Sequence, residues 1–245
     1  MKAKHVFFYI CTGLMCTLPF NAQAVIIDGT FKAKVVGAEP VEGLWGDIRG
    51  TTVTGTYSYN TALFETKNVL RPNEVMYVNN SNTFLNITFT IAGHTFDVSH
   101  DYTDRLAQDE QTDIVKVQDA NPGVPGDNDH FWILDSVYLG DHSSGYVQTT
   151  ADISLFDRTV DFINGVGLEQ QFTWAASSED EAGGHGNFSY VKELDGEYIY
   201  AFVHTQITGF TASVRQSSVP EPGSLVLLMT ALLGVALRAR HKPLR

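Results

Sequence analysis

The chain has 245 residues, of which 43% are hydrophobic and 11% are aromatic, and its formal net charge at pH 7 is −12. The charge is unevenly distributed, because residues 25–222 hold all 28 acidic residues and only ten of the 16 basic ones, which gives that segment a charge of −18. A field of that sign repels nucleic acid, so we expect no nucleic-acid partner. The same segment is long and apolar enough to bury one core, and we predict a single domain there.

The N-terminal segment has the three parts of a secretory signal peptide. A basic start is followed by a mostly apolar run over residues 6–20 and by the A-x-A cleavage signal formed by Ala22, Gln23 and Ala24. We therefore predict a signal peptide over residues 1–24.

Both cysteines of the chain, Cys11 and Cys16, lie inside this segment. The mature protein would then contain no thiol after the signal peptide is removed. This excludes disulfides, cysteine nucleophiles and thiolate metal sites from the exported domain.

Residues 25–216 show the short alternating pattern of β-strands, with turn-forming residues between the runs. About a dozen strands at spacings of roughly 8 to 15 residues predict an all-β fold, either a two-sheet β-sandwich or a jelly roll. One short helix is predicted around residues 62–70, ending before Pro72. Tight hairpin turns are predicted at three dipeptides: Ala92-Gly93, Asn164-Gly165 and Asp195-Gly196.

Glu193, Asp195 and Glu197 form an E-x-D-x-E pattern, which resembles the motif of laminarinase-type glycoside hydrolases. In that family the alternating carboxylates supply the nucleophile and the acid of a retaining mechanism, about 5 Å apart. A turn at Asp195-Gly196 would break the strand continuity that this arrangement needs, and we favour the turn. We therefore predict no catalytic residue and no enzymatic activity, with a jelly-roll glycoside hydrolase as the weaker alternative.

The turn-rich loop over residues 119–129 contains two candidate oxygen ligands for Ca²⁺, Asp127 and Asp129. The loop departs from the EF-hand pattern, because Pro122 and Gly123 occupy ligand positions and no glutamate follows at the twelfth position. A solvated loop is the alternative. No cofactor is required by the sequence, but a Ca²⁺-assisted carbohydrate-binding module is our second functional hypothesis.

Aromatic residues offer a further hint of sugar binding. Trp45, Trp132 and Trp174, with the many tyrosines, could form a platform on which sugar rings stack. Such residues more often fill the core of a sandwich, and we expect them to do so here.

The C-terminal tail has three parts in a fixed order. Val219, Pro220, Glu221 and Pro222 end a short linker (residues 217–222), and they are followed by an apolar run and by basic residues. The apolar run covers residues 223–237, and the basic residues that follow it include Arg238, Arg240 and Lys242.

The apolar run is a short transmembrane candidate. A helix of that length would span about 22 Å of a hydrocarbon layer about 30 Å thick, which snorkelling and bilayer thinning can accommodate. Basic residues stay on the cytoplasmic side, so residues 238–245 are predicted to be a cytoplasmic tail and residues 25–216 an extracytoplasmic domain.

This order of Val-Pro-Glu-Pro, apolar helix and arginine-rich end resembles the PEP-CTERM sorting signal of Gram-negative bacteria, a tail also known as an ice-binding-protein C-terminal domain. The resemblance implies recognition by an exosortase, a membrane transpeptidase-like enzyme, and removal of the tail near Pro-Glu-Pro. It also implies association with exopolysaccharide and biofilm matrix. We therefore expect an exported protein, first anchored by its C-terminal helix and finally placed at the cell surface or in the extracellular matrix. Its expected role is structural or polysaccharide-associated.

Overall fold

The computed structural model describes residues 25–80, 84–98, 108–120, 127–141, 145–178 and 181–215. The predicted signal peptide with its cleavage site, and the predicted sorting motif, apolar helix and basic tail, lie outside the described residues. The chain divides into two compact units, Met1–Val214 and Arg215–Arg245. Among the described residues, no helix has the length and apolar character that crossing a membrane requires.

The described part of the chain is built from twelve β-strands and contains no helix. The strands are β1 (Ile26–Ala38), β2 (Thr52–Asn60), β3 (Thr66–Arg71), β4 (Glu74–Asn79), β5 (Leu85–Ile91), β6 (His94–Asp97), β7 (Gln108–Gln118), β8 (Asp129–Asp141), β9 (Gly145–Asp157), β10 (Phe172–Ala175), β11 (Gly183–Leu194) and β12 (Glu197–Val214).

The strands form one antiparallel sheet rather than two. Its order is β3-β4-β7-β8-β9-β11-β12-β1-β2-β5-β6, and β10 pairs with the last part of β12. The predicted all-β class is confirmed, whereas the predicted division into two sheets is corrected: a single sheet curls until β5 contacts β7 and β8. A curled sheet can enclose a core on its inner face, so the alternating pattern of a sandwich arises without a second sheet.

Alternation along each strand produces the core. In β5, four apolar side chains are fully or almost fully buried and the three polar ones between them are partly exposed. The buried set is Leu85, Ile87, Phe89 and Ile91. In β12 the residues Ala201, Val203 and Thr205 face the same interior, because side chains two positions apart share one face of a strand.

Two glycines allow aromatic rings to lie across the β1–β2 ladder. Gly29 is paired with Tyr57, and Phe31 is paired with Gly55. A Cβ atom at Gly29 would lie 2.2 Å from Tyr57 Cε1, and one at Gly55 would lie 2.2 Å from Phe31 Cζ. Each ring therefore occupies the space that the opposite side chain would need, an arrangement known to compensate for glycine in sheets.

Two of the three predicted hairpin turns are confirmed. Ala92 and Gly93 join β5 to β6, Asp195 and Gly196 join β11 to β12, and all four residues have positive φ. Positive φ at both central residues is what a tight turn between twisted strands requires.

The third predicted hairpin is wrong. Gly165 does have a φ of 70°, but residues 158–171 form no strand, and β10 then pairs with β12. The predicted helix around residues 62–70 is also wrong, because most of that segment forms β3, which pairs with β4. In both places long-range contacts override the local preference of the sequence.

Two buried carboxyl groups hold the curled sheet together through hydrogen bonds. Asp113 of β7 accepts hydrogen bonds from the amides of Phe84 (2.6 Å) and Leu85 (3.0 Å), both at its Oδ2 atom. Asp135 of β8 accepts one from the amide of Ile87 at 2.8 Å. These contacts satisfy the amides of Leu85 and Ile87 in β5 and that of Phe84 directly before it, and they hold the curl closed. We call this arrangement the seam.

Candidate functional site

The seam carboxyls are coupled to each other as well as to β5. Asp113 and Asp135 stand directly opposite one another in the β7–β8 ladder, and both are fully buried. Two ionised carboxylates in that position would repel strongly. Burial raises the pKa of Asp135 well above its usual range, with the neighbouring Asp113 charge adding to it. Burial also raises the pKa of Asp113 to about 6, although hydrogen bonds from Leu85, Gln111 and Phe84 oppose the shift.

Both shifts favour a protonated form of the pair. Oδ1 of Asp135 is buried and has no hydrogen-bond partner among the described residues, which disfavours the ionised form of Asp135. Because both side chains are sealed from solvent, this carboxyl pair is structural and not accessible to a substrate.

A second group of carboxylates lies where the end of β7 and the start of β8 meet the irregular segment over residues 158–171. Asp119, Asp129 and Asp161 each place one oxygen within 4.8 Å of the others. Of the two predicted Ca²⁺ ligands, the structure brings Asp129 into this group, and Asp161 is a neighbour that the sequence did not suggest because it lies far along the chain.

The oxygens of Asp129 are already engaged. Oδ1 accepts a hydrogen bond from the amide of Ala120 at 2.7 Å, and Oδ2 accepts those of Phe162 (2.6 Å) and Ile163 (2.8 Å). Burial nevertheless raises the pKa of Asp129 above its ordinary value. These contacts make Asp129 an anchor for the irregular segment over residues 158–171.

Asp127 is held separately. Its Oδ1 accepts a hydrogen bond from Gln118 Nε2 at 2.9 Å, and its Oδ2 accepts one from Asn73 Nδ2 at 3.2 Å. Both predicted Ca²⁺ ligands thus organise the ends of β4, β7 and β8, and Ca²⁺ binding at Asp127 and Asp129 stays a prediction.

The E-x-D-x-E pattern is part of a hairpin. Glu193 is paired with Tyr198, Leu194 is paired with Glu197, and Glu197 forms an ion pair with Lys192. The turn at Asp195 and Gly196 separates the two glutamates onto different strands, as the turn dipeptide predicted. This geometry differs from the single-strand carboxylate row that the resemblance to glycoside hydrolases implied.

Three aromatic side chains stand on the outer face of β12. The exposed fractions of Tyr198, Tyr200 and Phe202 are 65%, 55% and 44%. They alternate with inward-facing residues, so they form one row along the strand, which we call the aromatic row. In contrast, Trp45 and Trp174 are buried in the core, as predicted.

The aromatic row borders a cleft of about 410 Å³. One wall consists of Tyr200, Phe202 and His204, and the other is the chain segment over residues 37–41. The β1–β12 register shifts between Val35 and Gly37, which leaves Val36 as an extra residue. Pairing continues at Gly37 and Ala38, and residues 39–41 follow the end of β1.

Hydrogen-bonded side chains fix one end of the cleft. Trp132 Nε1 donates to Asp152 Oδ1 at 2.6 Å, and Asn187 Nδ2 donates to Asp152 Oδ2 at 3.1 Å. Asn187 Oδ1 lies 2.7 Å from His204 Nδ1. This polar row crosses the outer face from β8 to β12 and ends at the cleft.

The described residues form an acidic antiparallel β-domain, and the segment after this domain bears on where the protein is sorted. Residues 218–240 match the PEP-CTERM protein-sorting motif. The chain therefore carries a PEP-CTERM sorting motif, which indicates exosortase-dependent sorting of an exported protein toward the cell surface. No curated protein and no solved structure matches the chain.

Proposed function

We propose that this chain is a non-enzymatic component of the cell surface or extracellular matrix that an exosortase processes and that associates with exopolysaccharide. The observation that carries the proposal is the PEP-CTERM motif over residues 218–240. Such a tail directs the chain to a location in the cell, and the acidic β-domain is the part of the chain that is sorted there.

Features of the domain support a non-enzymatic role. The two glutamates of the E-x-D-x-E pattern lie on opposite sides of a hairpin turn, and the carboxyl pair of the seam is buried. A retaining glycosidase needs two accessible carboxyl groups flanking a substrate. The wild type should therefore release no reducing sugar from polysaccharides above the background, and replacing Glu193 or Glu197 by Gln should not change that background. A loss of such release in either variant would support the hydrolase alternative.

The proposal is tested by mass spectrometry of the C-terminal peptide from membrane and medium fractions of the native host. We expect a species that ends near Pro220–Pro222, or that is joined there to another group, and we expect it to disappear in a strain without exosortase. Glu221→Ala should reduce its yield, while Glu169→Ala, a matched change at a surface glutamate of the domain, should not. An intact tail with Arg238 and Arg240 in every extracytoplasmic fraction of the wild type would contradict the proposal.

A further inference from the structure

The aromatic row is unusual because its side chains project from a well-formed strand. Large aromatic residues bury about 200 Å² each when they are covered. From the exposed fractions of Tyr198, Tyr200 and Phe202, the row leaves roughly 330 Å² of aromatic surface open to solvent. A contiguous patch of that size on one strand is often a binding surface.

The area of this surface argues against a second copy of the chain as its occupant. A stable protein–protein contact buries about 800 Å² on each partner, more than twice what the row offers. A narrow, extended molecule fits this surface better, because the row is one side chain wide. Side chains two positions apart on a strand are about 6.6 Å apart, so the three rings could meet successive units of a linear polymer.

The cleft beside the row is already shaped. Trp45 Nε1 donates a hydrogen bond to the carbonyl oxygen of Glu39 at 3.2 Å, and the amide of Val41 donates to the carbonyl oxygen of Trp45 at 2.8 Å. Trp45 itself packs edge-on against Phe96. These contacts tie the far wall of the cleft to the core, so little ordering is needed when a ligand binds.

The polar groups at the cleft can both donate and accept hydrogen bonds. The amide nitrogen of Asn187 is directed to Asp152, so the amide oxygen is the atom that faces His204, and His204 Nδ1 must carry the proton of that hydrogen bond. Nε2 of a neutral His204 is then an acceptor. Tyr200 and Glu39, whose side chains carry a hydroxyl and a carboxylate, are the other lining residues with polar side chains.

This combination matches the chemistry of a sugar chain. A pyranose ring has an apolar face of C–H bonds, which stacks on an aromatic ring, and hydroxyls around its edge, which need donors and acceptors. The charge of −18 on residues 25–222 disfavours a polyanion. We infer that the cleft binds a neutral polysaccharide, with sugar rings stacked on Tyr200 and Phe202 and hydroxyls bonded to His204 and Glu39. This inference rests on the proposed association with polysaccharide and names its site and ligand class.

Affinity electrophoresis of the full chain in non-ionic detergent tests the inference. Native gels would contain hydroxyethylcellulose, laminarin or galactomannan as neutral polymers, and polygalacturonate as an anionic one. We expect at least one neutral polymer to retard the protein and polygalacturonate not to do so. Tyr200→Ala and Phe202→Ala should each weaken the retardation about tenfold, whereas Tyr200→Phe should keep most of it.

Leu70→Ala is the matched control, because Leu70 is 51% exposed on β3 and lies outside the cleft. Retardation in this variant should equal that of the wild type. The inference is overturned if no neutral polymer retards the wild type, or if retardation survives replacement of both Tyr200 and Phe202 by Ala. Sedimentation that shows a dimer abolished by Tyr200→Ala would also overturn it, in favour of self-association.

Failure here is distinguishable from failure of the proposed sorting. Processing is measured on the tail, and retardation is measured on the domain. Normal processing without retardation refutes the glycan site alone, whereas retardation with an unprocessed tail in the host refutes the sorting proposal alone.

Discussion

Two substitutions of Asp113 separate the hydrogen bonds of the seam from its proton. Asp113→Ala removes the oxygen that accepts the amides of Phe84 and Leu85, at 2.6 and 3.0 Å. Each of those amides is buried, and a buried amide without an acceptor costs about 1–3 kcal/mol. We therefore expect Asp113→Ala to lower the free energy of unfolding by roughly 2–6 kcal/mol.

Asp113→Asn should behave differently, because both amides bind the same carboxylate oxygen and an asparagine keeps one such acceptor. The variant removes the ionisation and also the oxygen that accepts a hydrogen bond from Gln111 Nε2 at 3.1 Å, a loss that is the same at every pH. Burial raises the pKa of Asp113 to about 6 in the folded protein, from an ordinary value of 3.8. A carboxyl with a raised pKa binds its proton more tightly when folded, so its contribution to stability is present at low pH and is lost as the pH rises through about 6.

This linkage has a measurable magnitude. Between pH 4 and pH 7 the wild type should lose about 2 kcal/mol of stability through Asp113, while Asp113→Asn loses none of that contribution. Urea denaturation of the wild type and of both variants, followed by tryptophan fluorescence at the two pH values, gives the difference directly. Titrating groups outside the seam cancel because they are common to all three proteins, whereas the contribution of Asp135 changes with the charge of Asp113 and belongs to the measured difference.

The reasoning would be refuted by either of two results. If Asp113→Asn differs from the wild type by the same amount at both pH values, Asp113 does not carry a raised pKa. If Asp113→Ala costs less than about 1 kcal/mol, the seam amides find other partners and the carboxylates do not hold the curl.

The remaining predictions concern the ladder, the loops and one histidine. Gly55→Ala should lower the free energy of unfolding, measured by chemical denaturation, by about 1–3 kcal/mol or more, because the added Cβ would collide with Phe31. Gly46→Ala is the control and should lower it far less, because a Cβ there meets no atom within 4 Å. Asp129→Asn should lower the free energy of unfolding by about 1–3 kcal/mol, with or without added Ca²⁺, because Asp129 accepts hydrogen bonds from three backbone amides. If Ca²⁺ stabilises the wild type and not this variant, the result would instead favour a bound ion. Burial lowers the pKa of His130 to about 4. The contribution of His130 to stability should therefore be present above about pH 6.5 and be lost as the pH falls toward 4. An NMR titration in which the ring of His130 titrates near pH 6.5 would contradict this.

Some of this fold is readable in the sequence because the signal is local. The alternation of Leu85, Ile87, Phe89 and Ile91 predicts a half-buried strand, and β5 is one. The dipeptide Asp195-Gly196 predicts a tight turn because it tolerates positive φ. The sorting motif is equally local, since three parts in a fixed order define it.

Other features depend on contacts that no local pattern contains. No sequence pattern around Asp113 predicts that Asp135 lies opposite it, because this pairing depends on the register of β7 against β8. The stretch of β12 that carries the aromatic row is apolar on both faces, which is typical of a strand buried on both sides. Only the curl of the sheet leaves the outer face of Tyr198 and Tyr200 open.

The pairing of β1 with β12 has a consequence for how the chain is made and exported. Ile27 is paired with Val214, so the first strand finds its main partner only when the last strand is available. If the chain crosses a membrane N-terminus first, β1 waits through the passage of almost the whole domain, with one edge exposed to wrong partners. The domain can then close only when the strand directly before the sorting motif has emerged.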